Sequence, residues 1–232
     1  MEIARMMDIS CVQATSTIAE IDRMVAVAKK HRVICAFALP AFTPYLIAAL
    51  RDEPDILVGG VVGFPSGQDS TAIKIAAAKE LVAMGCDEID MVVNVGALKS
   101  GLDDMVYADI LAVRQAIGKI PLKTILEVQY LTDDEIRRGC RLGVKAGAAY
   151  IKTSTGWTGK PTTIEHVHLM KETIGDTAGL KAAGGVRDLA TLLAMRDAGC
   201  TRFGVSVGTA ENILEEIDAR AAGEQDNVHH RI

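Results

Sequence analysis

Short apolar runs alternate along the chain with longer stretches of helical pattern. Residues 3–9 form a weak first run, and Thr15, Ser16 and Thr17 offer caps for a helix reaching about Lys30. Residues 33–39 predict a strand closed by Pro40, and residues 43–51 a short helix. Residues 56–63 are rich in Val and Gly, as expected of a strand buried on both faces. A turn at 64–67 leads to an Ala-rich helix over 70–84, stopped by Gly85. Residues 88–94 predict a strand, 102–117 a helix and 122–127 a strand. Thr132 then caps a helix to about Ala146 whose first turn is acidic. Two further strands, around Lys152 and Lys181, flank a helix over 163–174. The pattern closes with a helix over 188–198, a strand over 202–206 and a helix over 209–221, leaving a polar tail at 223–232.

Eight strand–helix units in strict alternation imply a parallel sheet, and that number points to a closed (β/α)8 barrel, an α/β single domain spanning 1–222. An open doubly wound sheet is the alternative, but no Gly-x-Gly-x-x-Gly follows the first strand. In a barrel, chemistry sits at the C-terminal ends of the strands.

The polar residues inside the apolar runs carry the chemical signal. Lys152 lies in a strand that ends at Ser154-Thr155-Gly156, and Lys181 lies in the run that ends at the Gly184-Gly185 turn. A desolvated lysine loses basicity and can attack a carbonyl to form a Schiff base, and a neighbouring cation assists. Period two sets Asp90, Val92 and Asn94 on one face of the fourth strand, and Lys123, Ile125 and Glu127 on one face of the fifth. Lys152 with Ser154, and Lys181 with Ala183, form the matching sets. Inward faces would gather Asp90, Lys123, Glu127, Lys152 and Lys181, which predicts mutual pairing. A purely structural reading stands beside each residue: a Lys123–Glu127 ion pair, Asp90 satisfying backbone donors, Lys152 as a salt-bridge partner. His31, His166 and His168 fall on predicted helices, which suits solvated positions.

Composition narrows the class. The 232 residues are 49% hydrophobic and 24% charged, enough for one full core, and the net charge of −5 leaves no footprint for nucleic acid or an anionic membrane. An anionic ligand must therefore be met locally. Cys11, Cys35, Cys86, Cys140 and Cys200 stand singly, without metal spacing or an even count, and read as buried reduced thiols. No leader pattern and no apolar run of spanning length occur, so the expectation is a cytoplasmic protein. The loops after the seventh and eighth strands, with Gly184, Gly185, Gly204 and Ser206, suit a phosphate held by backbone N–H groups and a hydroxyl. With the lysines, this predicts a small phosphorylated carbonyl substrate.

Several segments resemble the signatures of the deoxyribose-phosphate aldolase family. They are the run from Asp87 through Asn94 to Gly101, Ile151-Lys152-Thr153-Ser154-Thr155-Gly156, and Leu180-Lys181-Ala182-Ala183-Gly184-Gly185-Val186-Arg187. Residues 63–67 and 122–127 fit as well, and the resemblance spans about 56–208. It implies a metal-free, cofactor-free class I aldolase that cleaves or forms 2-deoxy-D-ribose 5-phosphate from glyceraldehyde 3-phosphate and acetaldehyde. It further implies Lys152 as the Schiff-base lysine, Lys181 as the lysine lowering its pKa, and Asp90 as the carboxylate managing protons. Thr155, Gly156, Gly184, Gly185, Gly204 and Ser206 would bind substrate and phosphate, in a homodimer or homotetramer. Trp157, Val205 and Val207 depart from the family's pattern beside the phosphate loops. Two other readings remain: a lysine-dependent barrel aldolase or transaldolase acting on a different phosphorylated sugar, and a non-catalytic sugar-phosphate sensor.

Overall fold

The computed structural model describes residues 3–229, with side chains to residue 221. Eight parallel strands close into a barrel in chain order: β1 (Met7–Cys11), β2 (Cys35–Ala38), β3 (Leu57–Val62), β4 (Glu88–Val92), β5 (Leu122–Ile125), β6 (Tyr150–Lys152), β7 (Gly179–Ala183) and β8 (Arg202–Ser206). The helices form the outer ring: α1 (Ile18–His31), α2 (Thr43–Leu50), α3 (Thr71–Met84), α4 (Val95–Lys99), α5 (Asp103–Ala116), α6 (Asp133–Lys145), α7 (Ile164–Ile174), α8 (Leu189–Asp197) and α9 (Val207–His229). The (β/α)8 expectation holds, and the sheet has no open edge because β1 pairs β8 from Met7↔Phe203 to Ser10↔Ser206.

Local chemistry sets the helix starts. Thr17 Oγ1 accepts from Glu20 N–H at α1, and Ser70 Oγ from Ile73 N–H at α3. Thr132 and Glu135 form a reciprocal capping box at α6. Each such cap contributes on the order of 1 kcal/mol. The helices then bury one face on the sheet: in α1 that face is Ile21, Met24, Val25 and Ala28, spaced for a 3.6-residue turn. The five cysteines are free and buried, and burial pushes the thiols of Cys86, Cys140 and Cys200 up to about 12.

Two departures from the predicted pattern affect the site, and a third concerns the C-terminal end. The strand over 88–94 stops at Val92, because Asn94 turns to cap α4, its Oδ1 accepting from Ala97 N–H at 2.9 Å. This five-residue helix carries a glycine and is too short to show a period, so Asn94 does not share a face with Asp90. The strand over 122–127 stops at Ile125, with Glu127 in the left-handed region at φ 58°. The last helix passes the predicted end at Ala221, since one glycine at 223 costs only about 1 kcal/mol against the Glu and Gln that follow it. Of the expected tail, residues 230–232 lie outside the described residues. No helix among the described residues is long and apolar enough to cross a membrane.

Candidate active site

Strand register brings the two lysines together. Lys152 and Lys181 are direct partners across β6 and β7, and Asp90 is the partner of Lys123 across β4 and β5. Side chains of paired residues on parallel strands share a face, here the interior of the barrel. Asp90 Oδ2 accepts from Lys152 Nζ at 2.8 Å and from Lys181 Nζ at 2.7 Å. Lys181 also contacts Asp8 at 2.6 Å. Beneath them Lys123 reaches Glu88 at 2.5 Å, Asp8 at 3.2 Å and Asp90 at 3.5 Å, and Arg202 reaches Asp8 at 2.6 Å and Glu88 at 2.7 Å. Every one of these side chains is buried.

Three carboxylates thus face four cationic side chains, and the surplus falls on Lys152. Burial is the main cause that lowers its pKa, to about 8; Asp90 opposes the fall, and the charges of Lys181 and Lys123 add to it. Lys181 is therefore one contributor behind desolvation. Burial alone would raise the Asp90 carboxyl, but Lys123, Lys152 and Lys181 outweigh it and hold the group well below the usual carboxylate range. The arrangement supplies an amine that is substantially neutral near pH 8 and an ionised carboxylate beside it. Such an amine can add to a carbonyl carbon. Asp8, Glu88 and Cys35 lie near enough together to hold a metal ion, but both carboxylates are already spent on Lys123, Lys181 and Arg202.

The predicted Lys123–Glu127 pair does not form. Lys123 belongs to the lysine layer, and Glu127 does not join it. Beyond the end of β5 the Glu127 side chain turns toward the loop after β6, where Oε1 accepts from Ser154 Oγ at 2.5 Å and Thr155 N–H at 3.0 Å, and Oε2 accepts from Thr155 Oγ1. Asp8, Glu88 and Arg202 are the members that the strand reading did not bring in. Period two carried the signal, since Glu88 shares parity with Asp90 and Arg202 with Gly204 and Ser206; Asp8 was hidden in the weak first run.

Above the layer opens a cavity of about 250 Å³ lined by Lys152 and Lys181 together with Thr155, Gly156, Gly184, Gly185, Gly204 and Ser206. All the residues expected to touch substrate at the phosphate end share this one space. Gly204 is there for clearance: a Cβ would stand 2.9 Å from that of Ala183 and 3.3 Å from Lys181 Cε. Ser206 Oγ accepts from Thr209 N–H in the first turn of α9, so a helix N-terminus opens at this end. Lys160 and Arg187 line the same cavity, as do the carboxylates Asp8 and Glu20. Neither cation was singled out by the strand-end argument, because both sit on loops. Trp157 ties the rim, its Nε1–H donating to Val12 O at 2.8 Å and its ring edge-on to Phe64 at 5.9 Å.

A closed (β/α)8 barrel holding a low-pKa lysine over a lysine–carboxylate layer, with an anion-friendly end, defines a class of amine-nucleophile barrel proteins. Within that class the chain belongs to the DeoC/LacD aldolase family, whose model matches residues 7–211. It is 42% identical to a deoxyribose-phosphate aldolase of Rhizobium meliloti over 97% of this chain and 91% of that protein. It is 44% identical to a deoxyribose-phosphate aldolase of Methanothermobacter thermautotrophicus over 89% of this chain and 92% of the other. A tetrameric deoxyribose phosphate aldolase structure from Aeropyrum pernix shares the fold with a TM-score of 0.82, at 24% identity over 93% of this chain and 91% of that one.

Proposed function

We propose that this protein is a class I aldolase that cleaves 2-deoxy-D-ribose 5-phosphate to acetaldehyde and D-glyceraldehyde 3-phosphate, and runs the reverse condensation, through an imine on Lys152. The observation that carries the reading is the Lys152 amine, pKa about 8, held 2.8 Å from Asp90 in a cavity whose far end suits a phosphate. The names of the relatives supply the substrate.

Neutral Lys152 Nζ attacks the aldehyde carbon, and the carbinolamine loses water to give an iminium. A base then takes the proton of the C3 hydroxyl, the C2–C3 bond breaks, and its electron pair moves into the iminium, giving an enamine. Protonation at C2 and hydrolysis release acetaldehyde and restore the amine. Asp90 accepts from both lysines through Oδ2, while its Oδ1 faces the Lys123 ammonium at 3.5 Å. In this reading Asp90 takes a proton and Lys181 returns one, supported by the bonds that tie Asp90 to both lysine amines. At the other end Gly184, Gly185 and Gly204 let backbone approach the phosphate, Ser206 and the start of α9 meet its oxygens, and Thr155 and Gly156 wall the sugar. Exposed Ile73, Leu102 and Met105 near the starts of α3 and α5 support a homo-oligomer, and five unpaired cysteines support a reducing, cytoplasmic setting.

The test is release of acetaldehyde from 2-deoxyribose 5-phosphate, followed against pH. Because only neutral Lys152 attacks, kcat/KM rises with pH on a limb of unit slope centred near 8. Binding of the sugar phosphate without turnover would favour the sensor reading. Turnover confined to another phosphorylated sugar would favour the related aldolase or transaldolase.

A further inference from the structure

We infer that Glu127 is a positioning residue that fixes the turn following Lys152 and thereby sets the affinity for the phosphorylated end of the substrate. The inference rests on the proposed aldolase reading and adds to it a determinant that does not touch substrate. Glu127 is a buried carboxylate engaged by no cation among the described residues. Its bonds go instead to a single two-residue stretch: the Ser154 hydroxyl, the Thr155 hydroxyl and the Thr155 N–H. Burying a charge on neutral donors alone is costly, and so is the left-handed backbone that aims the side chain, at φ 58° and ψ 59°. Two backbone bonds hold that conformation, Leu126 N–H to Lys152 O and Val128 N–H to Thr153 O, each 3.0 Å, on either side of Glu127.

The consequence is a directed relay. An ionised carboxylate only accepts, so both hydroxyls point their protons at Glu127 and turn their lone pairs to the turn beyond. Ser154 Oγ then accepts from Gly156 N–H at 3.1 Å, and Thr155 Oγ1 from Trp157 N–H at 3.0 Å. Four consecutive residues are thereby set by one side chain. Thr155 and Gly156 line the substrate cavity, whereas Glu127 lies on the other side of the turn, away from it. Gly156, at φ 83°, passes close enough to Gly184 that a Cβ on it would stand 3.8 Å from the Gly184 Cα. Loosening the turn therefore shifts the junction of the two loops that meet the phosphate. The Lys152 amine, anchored by Asp90, stays in place.

Glu127→Gln keeps the shape and replaces one acceptor oxygen with a donor, which breaks the one-way direction of the relay. Expected for the variant is a rise of about tenfold in KM for 2-deoxyribose 5-phosphate, with kcat held within about threefold, the pattern of a lost binding interaction. Reductive trapping with acetaldehyde, which carries no phosphate, should label Lys152 as strongly in the variant as in the parent. Ser154→Ala cuts the same relay at its next link, so the double variant should raise KM no further than Glu127→Gln alone. Unchanged KM with only a lower melting temperature would overturn the inference, as would equal loss of kcat and of acetaldehyde trapping. Additive KM effects of the two substitutions would also overturn it. If the parent protein itself forms no imine, the aldolase reading fails, and that outcome is read before either variant is compared.

Discussion

Lys152→Met lowers turnover of 2-deoxyribose 5-phosphate by about 10⁴-fold or more, the scale of losing a covalent nucleophile. Neither of the other two lysines in the layer stands in for it. Lys181 is 1% exposed and bound on two sides by Asp8 and Asp90, and Lys123 lies deeper, against three carboxylates. The substitution should also be tolerated by the fold. Methionine fills nearly the same volume, and removing one cation leaves three cations facing three carboxylates. Asp90 keeps Lys181 as a partner, so the melting temperature should stay near the parent's or rise. Kinetics and a thermal melt on the same preparation separate a dead site from an unfolded chain. A variant that folds and retains activity within tenfold of the parent would sink the role assigned to Lys152.

Asp90→Asn and Lys181→Met should move the acid limb of the pH profile in opposite directions while both lower the rate by about 10²–10³-fold, the range for removing a proton-transfer group. The sign follows from the charges around Lys152. Asp90 favours the protonated amine both through its charge and through its hydrogen bond, so its loss drops the lysine's pKa below the parent's value near 8 and the limb moves to lower pH. Lys181 disfavours the protonated amine, so its loss raises that pKa and the limb moves to higher pH. Asp90→Asn also leaves Lys152, Lys181 and Lys123 short of a counter-charge, and breaking a buried pair typically costs about 3–5 kcal/mol. Circular dichroism must therefore accompany the kinetics for that variant. Shifts of both limbs in the same direction would contradict the electrostatic account of the layer.

The barrel and the lysine pair were legible because both are written in short-range periodicity. Alternating apolar runs and helical segments imply parallel strands, and a lysine in a strand of period two has a defined face. Period two put Lys152, Lys181 and Asp90 on inward faces along with Lys123 and Glu127, the family resemblance singled out the three, and the structure sets Asp90 within hydrogen-bond distance of both lysines. The same rule misled at strand ends. Asn94 and Glu127 have the right parity, but the first is taken by the cap of α4 and the second leaves the extended conformation altogether. Parity holds only while the backbone stays extended, and nothing in a run such as Ile125-Leu126-Glu127 says where it stops. Asp8 was missed for a different reason: it sits in a weak apolar run, and its pairing with Arg202 depends on β8 closing against β1, nearly two hundred residues apart in the chain. Glu88 and Arg202 had the right parity for the inward face but were not picked out. The cavity's loop cations, Lys160 and Arg187, have no periodic signal at all.

Borohydride trapping puts the central claim to the most direct test. The protein is incubated with acetaldehyde or with 2-deoxyribose 5-phosphate, reduced and digested, and the added mass is located by peptide mass spectrometry. The account predicts an adduct on Lys152 from both compounds, absent from Lys152→Met. An adduct on Lys181 instead, or none from either compound at a pH above 8, would contradict it.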